Sequence, residues 1–203
     1  MANTGKFITL EGMDGAGKST HIPTIIDVLN TKGVEVISTR EPGGTSLGER
    51  LREILLHEPM HAETETLLMF AARREHIATV IAPALARGAY VLSDRFTDAT
   101  YAYQCGAKGV NANKVQLLEQ WVQADLQPDM TILFDVPVEV SMQRLASART
   151  PDKFERETAD FFTRIRESYL LRAQQNPTRF RIINANQALN IVKQEVEVTI
   201  STL

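Results

Sequence analysis

The sequence predicts an α/β fold built on a five-stranded parallel sheet with helices on both faces, and three observations carry that expectation. Five short apolar runs recur along the 203 residues: FITLE (7–11), VEVIST (34–39), YVLSD (90–94), TILFD (131–135) and FRIIN (180–184). A stretch with helical periodicity follows each of them, and strand–helix alternation is the pattern of parallel strands joined by crossover helices. The runs also read as continuously hydrophobic, as strands covered on both faces must.

Taken in order, the first strand passes through GMDGAGKST (12–20) into a helix predicted over 18–31. The second strand ends at a turn around Pro42, Gly43 and Gly44, where proline and glycine interrupt the pattern, and a helix over 46–56 follows. A long helix is predicted over 63–86, because Phe70, Ile77, Ile81 and Ala84 recur at helical spacing. After the third strand come a helix over 112–124, the fourth strand, helices over 138–148 and 155–175, the fifth strand and a last helix over 186–200. No internal repeat, low-complexity linker or shift in composition divides residues 1–203, so a single domain is expected.

Composition excludes several classes of function. With 43% hydrophobic and 23% charged residues the chain is that of an ordinary globular protein. The longest apolar runs fall far short of a membrane span, and MANTGKFITLEG lacks the basic-then-apolar order of a signal peptide, so a cytoplasmic protein without membrane contact is expected. A single cysteine, Cys105, excludes an internal disulfide and any multi-cysteine metal site, and is read as structurally inert. A net charge of −3 provides no electrostatic footprint for nucleic acid.

In open α/β sheets ligands bind beyond the carboxyl ends of the strands, which here carry Glu11, Arg40 with Glu41, Asp94 with Arg95, and Asp135. Gly12, Gly17, Lys18 and Ser19 complete the pattern G-x-x-x-x-G-K-[ST] directly after a strand and at the head of a helix, which predicts a P-loop NTPase-type three-layer fold. In such a loop, here 12–19, backbone N–H groups curl round the phosphates, the lysine reaches the outer phosphates and the hydroxyl ligates Mg²⁺. Gly12, Met13, Asp14, Gly15, Ala16, Gly17, Lys18, Ser19 and Thr20 are therefore the residues expected to bind a nucleoside triphosphate. Asp94 closes its strand where a metal-holding carboxylate belongs, so Ser19 and Asp94 are the expected Mg²⁺ residues. Asp14 is an anomaly here, a carboxylate in a loop built for anions.

A phosphate loop is compatible with a nucleotide switch and with a kinase. A guanine-specific switch needs [NT]-K-x-D to read the base and D-x-x-G after the second strand, and neither is found there. A kinase needs a cationic acceptor pocket and a lid that excludes water. Arg73 falls three residues after Phe70 and four before Ile77, inside an apolar stripe where a charge is costly unless paired or bound to ligand. With Arg40, Arg50, Arg52, Arg74 and Arg95 it makes six arginines near strand ends in a net acidic chain, which implies a small dianionic substrate. The lid candidate is RLASARTPDKFERE (144–157), polar, basic and interrupted by Pro151. A nucleotide switch, or a different deoxynucleoside or nucleotide kinase, are the alternative readings; a kinase acting on a sugar hydroxyl would need a carboxylate base where this chain supplies arginines.

EGMDGAGKST, TREPGGTSLGERLRE, FAARREH, SDRFTDATYAYQ and the segment 144–157 resemble thymidylate kinases of the bacterial type, in order and spacing, over essentially the whole chain. The resemblance implies a nucleoside monophosphate kinase domain that transfers the γ-phosphoryl of ATP to dTMP with Mg²⁺, as a homodimer. It also implies that Asp14 reaches the sugar 3′-hydroxyl of dTMP, that Lys18 binds the transferred phosphoryl and that Arg95 bridges donor and acceptor phosphates. Arg40 and Arg52 are similar to acceptor-phosphate ligands, and Glu41 would lie near that phosphate or its metal water. Arg73 and Gln104 would hydrogen-bond the thymine edge, and Tyr103 would press on the 2′ position and disfavour a ribose. Because Gly15 and Ala16 are not basic, Arg149 and Lys153 of the lid are expected to meet the transition-state charge. The family's base-stacking aromatic falls at Met69 here, with Phe70 one helical step along, so Phe70 stacks on the base only if the helix is rotated.

Overall fold

The computed structural model describes residues 5–146, 153–155 and 157–203. Strands β1 (Phe7–Glu11), β2 (Val36–Arg40), β3 (Tyr90–Asp94), β4 (Met130–Asp135) and β5 (Phe180–Asn184) form one sheet in the order β2-β3-β1-β4-β5, with every pairing parallel. β1 is wholly buried and lies at the centre, so the loop that leaves it opens at the middle of the sheet's carboxyl edge. Register places Asp94 opposite both Leu10 and Arg40, which aligns the chemically active strand ends.

The helices are α1 (Lys18–Thr31), α2 (Ser46–His57), α3 (Ala62–His76), α4 (Ala82–Ala86), α5 (Thr97–Thr100), α6 (Ala112–Gln123), α7 (Val138–Ala146), α8 (Ala159–Gln175) and α9 (Leu189–Ser201). α1 buries His21, Ile25 and Leu29, a stripe spaced at four residues. Thr45 caps α2 by accepting from the Gly48 N–H at 2.8 Å. α8 buries Phe161, Phe162, Ile165, Tyr169 and Ala173 against the central core.

Two helices depart from the expected pattern. The helix expected over 63–86 is instead α3 and α4 joined by a wider π-helical segment, Ile77–Ile81. Pro83, at the start of α4, has no N–H to return to the preceding turn, and widened turns absorb such interruptions. α5 and its π-helical continuation Tyr101–Ala107 fall where sequence periodicity predicts no helix. Threonine, tyrosine, cysteine and glycine are all poor helix formers, so packing rather than propensity holds this segment. It lies against α8, where the Ser168 side chain and the Arg164 carbonyl come close to Gly106; a Cβ there would stand 2.7 Å from the Ser168 Cβ.

Two apolar clusters fill the layers. One surrounds β1 and β4 with α1, α8 and α9, and the other joins Phe7 and Val91 to Phe70, Ile77, Ile81 and Phe96 on the opposite face. Cys105 is half-buried and unpaired, and burial pushes its thiol up to about 11, which makes it a poor nucleophile as expected. No described helix is long and apolar enough to cross a membrane.

Candidate active site

The loop after β1 turns sharply because Gly12 adopts φ 133°, and a Cβ there would stand 2.5 Å from the Phe134 carbonyl. Only glycine fits such a close backbone approach. The Lys18 ammonium is buried and donates to the Gly12 and Met13 carbonyls, both at 2.9 Å, so the lysine spans the mouth of the loop. Burial, followed by the neighbouring Arg95, lowers its pKa. A phosphate in the loop reverses this pressure by supplying a counter-charge.

At the end of β3 the Ser19 hydroxyl lies 3.3 Å from Asp94 Oδ2. The other carboxylate oxygen of Asp94, Oδ1, is buried with no hydrogen-bond partner. A hydroxyl and an orphaned carboxylate oxygen at the phosphate loop fit Mg²⁺, which takes few protein oxygens and completes its shell from phosphate and water. No group of three or more His, Cys, Asp or Glu among the described residues could hold a metal by itself.

Arg95 follows Asp94 with φ 72°, a left-handed conformation unfavourable for arginine that is typical of functional sites. Its Nη2 donates to Asp14 Oδ1 at 2.7 Å and to the Tyr103 hydroxyl at 2.9 Å, and its Nη1 donates to the Tyr169 hydroxyl at 2.9 Å. Tyr103 in turn donates to Asp14 Oδ2 at 2.8 Å. Burial works against the Asp14 charge, but Arg95 and Lys18 outweigh it and hold the carboxyl well below the usual range. The anomaly in the loop is thus a partnered anion facing Arg95 rather than an intruder among phosphates. Tyr169, which the sequence places in an apolar stripe and no more, also donates to Glu11 Oε2 at 2.8 Å. Glu11 accepts from the Phe96 N–H at 2.7 Å and so fixes the backbone immediately after Arg95. No periodicity could have revealed either contact.

Deeper in, Arg73 is buried and paired, with Nε donating to Glu41 Oε2 at 2.7 Å and Nη2 to the Thr100 hydroxyl at 3.0 Å. Its Nη1 is buried with no partner. The second oxygen of Glu41 lies 2.9 Å from His76 Nδ1, and His76 Nε2 lies 2.7 Å from the Thr39 hydroxyl. Glu41, expected beside a phosphate or its metal water, is committed here to orienting Arg73 and His76.

Two cavities open at this edge of the sheet. The first is lined by Asp14, Glu41, Pro42, Arg52, Leu56, Met69, Arg73, Arg95, Phe96, Ala99, Thr100, Tyr103, Gln104 and Phe154. The second runs along the phosphate loop past Gly15, Gly17, Lys18, Ser19, Thr20, Arg40, Asp94, Arg144 and Glu155. Asp14, Glu41, Arg52 and Arg95 line both, so the cavities meet at the Asp14–Arg95 pair. Of the six arginines singled out in the sequence, Arg40, Arg52, Arg73 and Arg95 line one or both cavities. Arg50 lines neither, and Arg74 donates to the Val122 carbonyl on another face.

Two expected residues stand elsewhere. Phe70 packs in the core beneath Arg73, whose guanidinium lies 4.7 Å from its ring, and Met69 lines the cavity instead. The one-residue step of about 100° turns the aromatic away, and Phe96 and Phe154 supply the aromatic lining. Lys153 forms an ion pair with Glu65 at 3.0 Å and donates to the Glu58 carbonyl at 3.2 Å, on the side of the first cavity rather than at the phosphate loop. Arg149 lies outside the described residues. Arg144, at the end of α7, donates to the Gly15 and Ala185 carbonyls at 3.3 and 3.1 Å and braces the loop.

The chain is similar to known proteins of one family. Residues 10–196 match the family model "Thymidylate kinase". The chain is 70% identical over 192 residues to a thymidylate kinase of Methylobacillus flagellatus, covering 95% of each chain. It is 60% identical over 201 residues to one of Cupriavidus taiwanensis, covering 98% of this chain and 99% of the relative. The crystal structure of thymidylate kinase from Ehrlichia chaffeensis superposes with a TM-score of 0.77 at 31% identity, covering 98% and 99% of the two chains. A P-loop at the head of α1, a buried arginine in an adjoining cavity and a family match from residue 10 to residue 196 lead to one conclusion: the chain belongs to the thymidylate kinase family.

Proposed function

We infer that the protein transfers the γ-phosphoryl of ATP to dTMP, giving dTDP and ADP. The observation that carries this reading is the junction of the two cavities at Asp14 and Arg95, with Arg73, whose Nη1 is unpartnered, lining the first. A donor-only guanidinium facing an apolar-walled cavity suits a base carbonyl, and Gln104 beside it supplies the complementary amide. Tyr103 and Asp14 then meet the sugar, with the ring against the 2′ position and the carboxylate toward the 3′-hydroxyl. Arg52 and Arg40 hold the acceptor phosphate.

An oxygen of the dTMP phosphate attacks the γ-phosphorus, and the bond to the β,γ-bridging oxygen breaks. The attacking oxygen is already ionised, so no general base is required, and catalysis consists of alignment and charge neutralisation. Lys18 leaves its two carbonyls to follow the transferred group. Arg95 exchanges Asp14 for phosphate oxygens of both nucleotides. Ser19 and Asp94 are the residues for Mg²⁺, which when bound neutralises charge on the β- and γ-phosphates. Lys153 must release Glu65 if it is to reach the phosphoryl group, which leaves Arg149 as the other lid cation. We further propose a cytoplasmic homodimer of single-domain chains. The exposed apolar side chains Leu67, Leu117 and Trp121 on α3 and α6 support an association surface there.

The test is ADP formation from MgATP with dTMP, dUMP, dCMP, thymidine or no acceptor. Rapid turnover with dTMP, with dUMP second, is the expected result. Equal slow turnover in all five would overturn the reading in favour of a nucleotide switch.

A further inference from the structure

We propose that Glu65 is a specificity-determining positioning residue, which fixes the orientation of the Gln104 amide and thereby selects a pyrimidine that carries a hydrogen on N3. The proposal rests on the reading that Gln104 meets the base edge. Glu65 is 1% exposed, on the first turn of α3, and lines neither cavity. Three donors from two other segments converge on it. Gln104 Nε2 donates to Oε1 at 2.9 Å, Lys108 Nζ reaches both oxygens at 2.8 Å, and Lys153 Nζ lies 3.0 Å from Oε2.

A primary amide can turn over and exchange its donor and acceptor ends at little cost, so an isolated glutamine at a binding site reads either pattern. A carboxylate paired with two ammonium groups removes that freedom, because it accepts and its amide partner must donate. The Gln104 nitrogen must therefore face Glu65, and the carbonyl oxygen is the acceptor that Gln104 offers to an occupant of the cavity. Arg73 lines the same cavity, and its unpartnered Nη1 can only donate. This donor-plus-acceptor pair matches the O4 and N3–H of thymine or uracil. Cytosine carries an amine and a bare ring nitrogen in those places, so it mismatches both. The two lysines bear on Glu65 alone, and none of the three touches the base in this scheme.

Measure the KM of dTMP and the Ki of dCMP as its competitor in the intact enzyme, for wild type, Glu65→Gln, Gln104→Ala and the double variant. An amide at position 65 can donate or accept and so lets Gln104 turn over. Glu65→Gln is expected to lower the ratio Ki(dCMP)/KM(dTMP) about tenfold, with kcat at saturating dTMP changed far less. In the Gln104→Ala background the same substitution should leave the ratio unaltered, since no amide remains to orient. Lys108→Met, which keeps the carboxylate, should hold the ratio within about twofold.

A wild-type ratio in Glu65→Gln, together with a collapsed ratio in Gln104→Ala, overturns the role of Glu65 and leaves the base-edge reading intact. An unchanged KM and ratio in Gln104→Ala overturns the base-edge reading itself. If Glu65→Gln does not fold, Glu65→Asp carries the test. Its shorter carboxylate withdraws from the amide while keeping the charge, so a partial loss of the ratio is expected and an unchanged ratio is contrary.

Discussion

Arg95 Nη2 lies 2.7 Å from Asp14 Oδ1, and the Tyr103 hydroxyl is shared between the same two groups. This pair stands at the junction of the two cavities, so the guanidinium lines both. In the proposed reaction Arg95 exchanges Asp14 for phosphate oxygens and neutralises charge as it develops. Arg95→Ala should therefore lower kcat about 100-fold or more, with the affinity for ATP changed far less. Steady-state kinetics with a separate nucleotide-binding titration checks this, and a normal turnover number would exclude the role.

Glu41 neutralises Arg73 in a region where neither is exposed beyond 5%. Removing one member of a buried ion pair strands the other charge and costs about 3–5 kcal/mol. Glu41→Ala should lose stability on that scale in a urea titration and also misplace Arg73, raising the KM for dTMP. A variant as stable as wild type would show that Arg73 finds another partner.

Glu11 sets a pH dependence. Burial, followed by the nearby Asp98, pushes its carboxyl up to about 8 against the stabilising effect of Arg95, Tyr169 and Phe96. Below about pH 4.5 the group is neutral in both folded and unfolded chains. Between about 4.5 and 8 the folded protein retains a proton that the unfolded chain releases, so stability falls as pH rises through that window and levels off above it. Melting temperatures from pH 5 to 9 should descend more steeply in wild type than in Glu11→Gln. Parallel curves would contradict the assignment.

The unpartnered Asp94 Oδ1 predicts a metal dependence. Asp94→Asn keeps the shape and removes the charge, so it should raise the Mg²⁺ concentration needed for half-maximal activity at least about tenfold. Magnesium titrations at fixed ATP give the answer. An unchanged midpoint would place the metal on other oxygens.

What could be read from the chain before folding was whatever is local. The five strands lie within about two residues of their predicted places, because continuous apolar runs define buried parallel strands regardless of partner. The phosphate loop was legible because its glycines, Lys18 and Ser19 are contiguous and each has a backbone or phosphate reason to be there. Arg73 stood out as a charge inside an apolar stripe, and it is indeed 2% exposed.

Tertiary structure decided everything that depends on which distant residues meet. Gln104 and Glu65 are 39 positions apart, and Tyr169 and Glu11 are 158 apart, separations that no periodicity spans. The segment 97–107 is helical only because α8 packs on it, overriding weak intrinsic preference, and its wide turn brings Tyr103 and Gln104 into one cavity. A rotation of one residue on α3 chose Met69 over Phe70 as a wall of that cavity. Sequence alone determined the strands and the phosphate loop, because apolar patterning and backbone chemistry act between near neighbours. The first cavity and its polar lining exist only once the sheet's order, β2-β3-β1-β4-β5, has brought remote segments together to satisfy one another's buried charges.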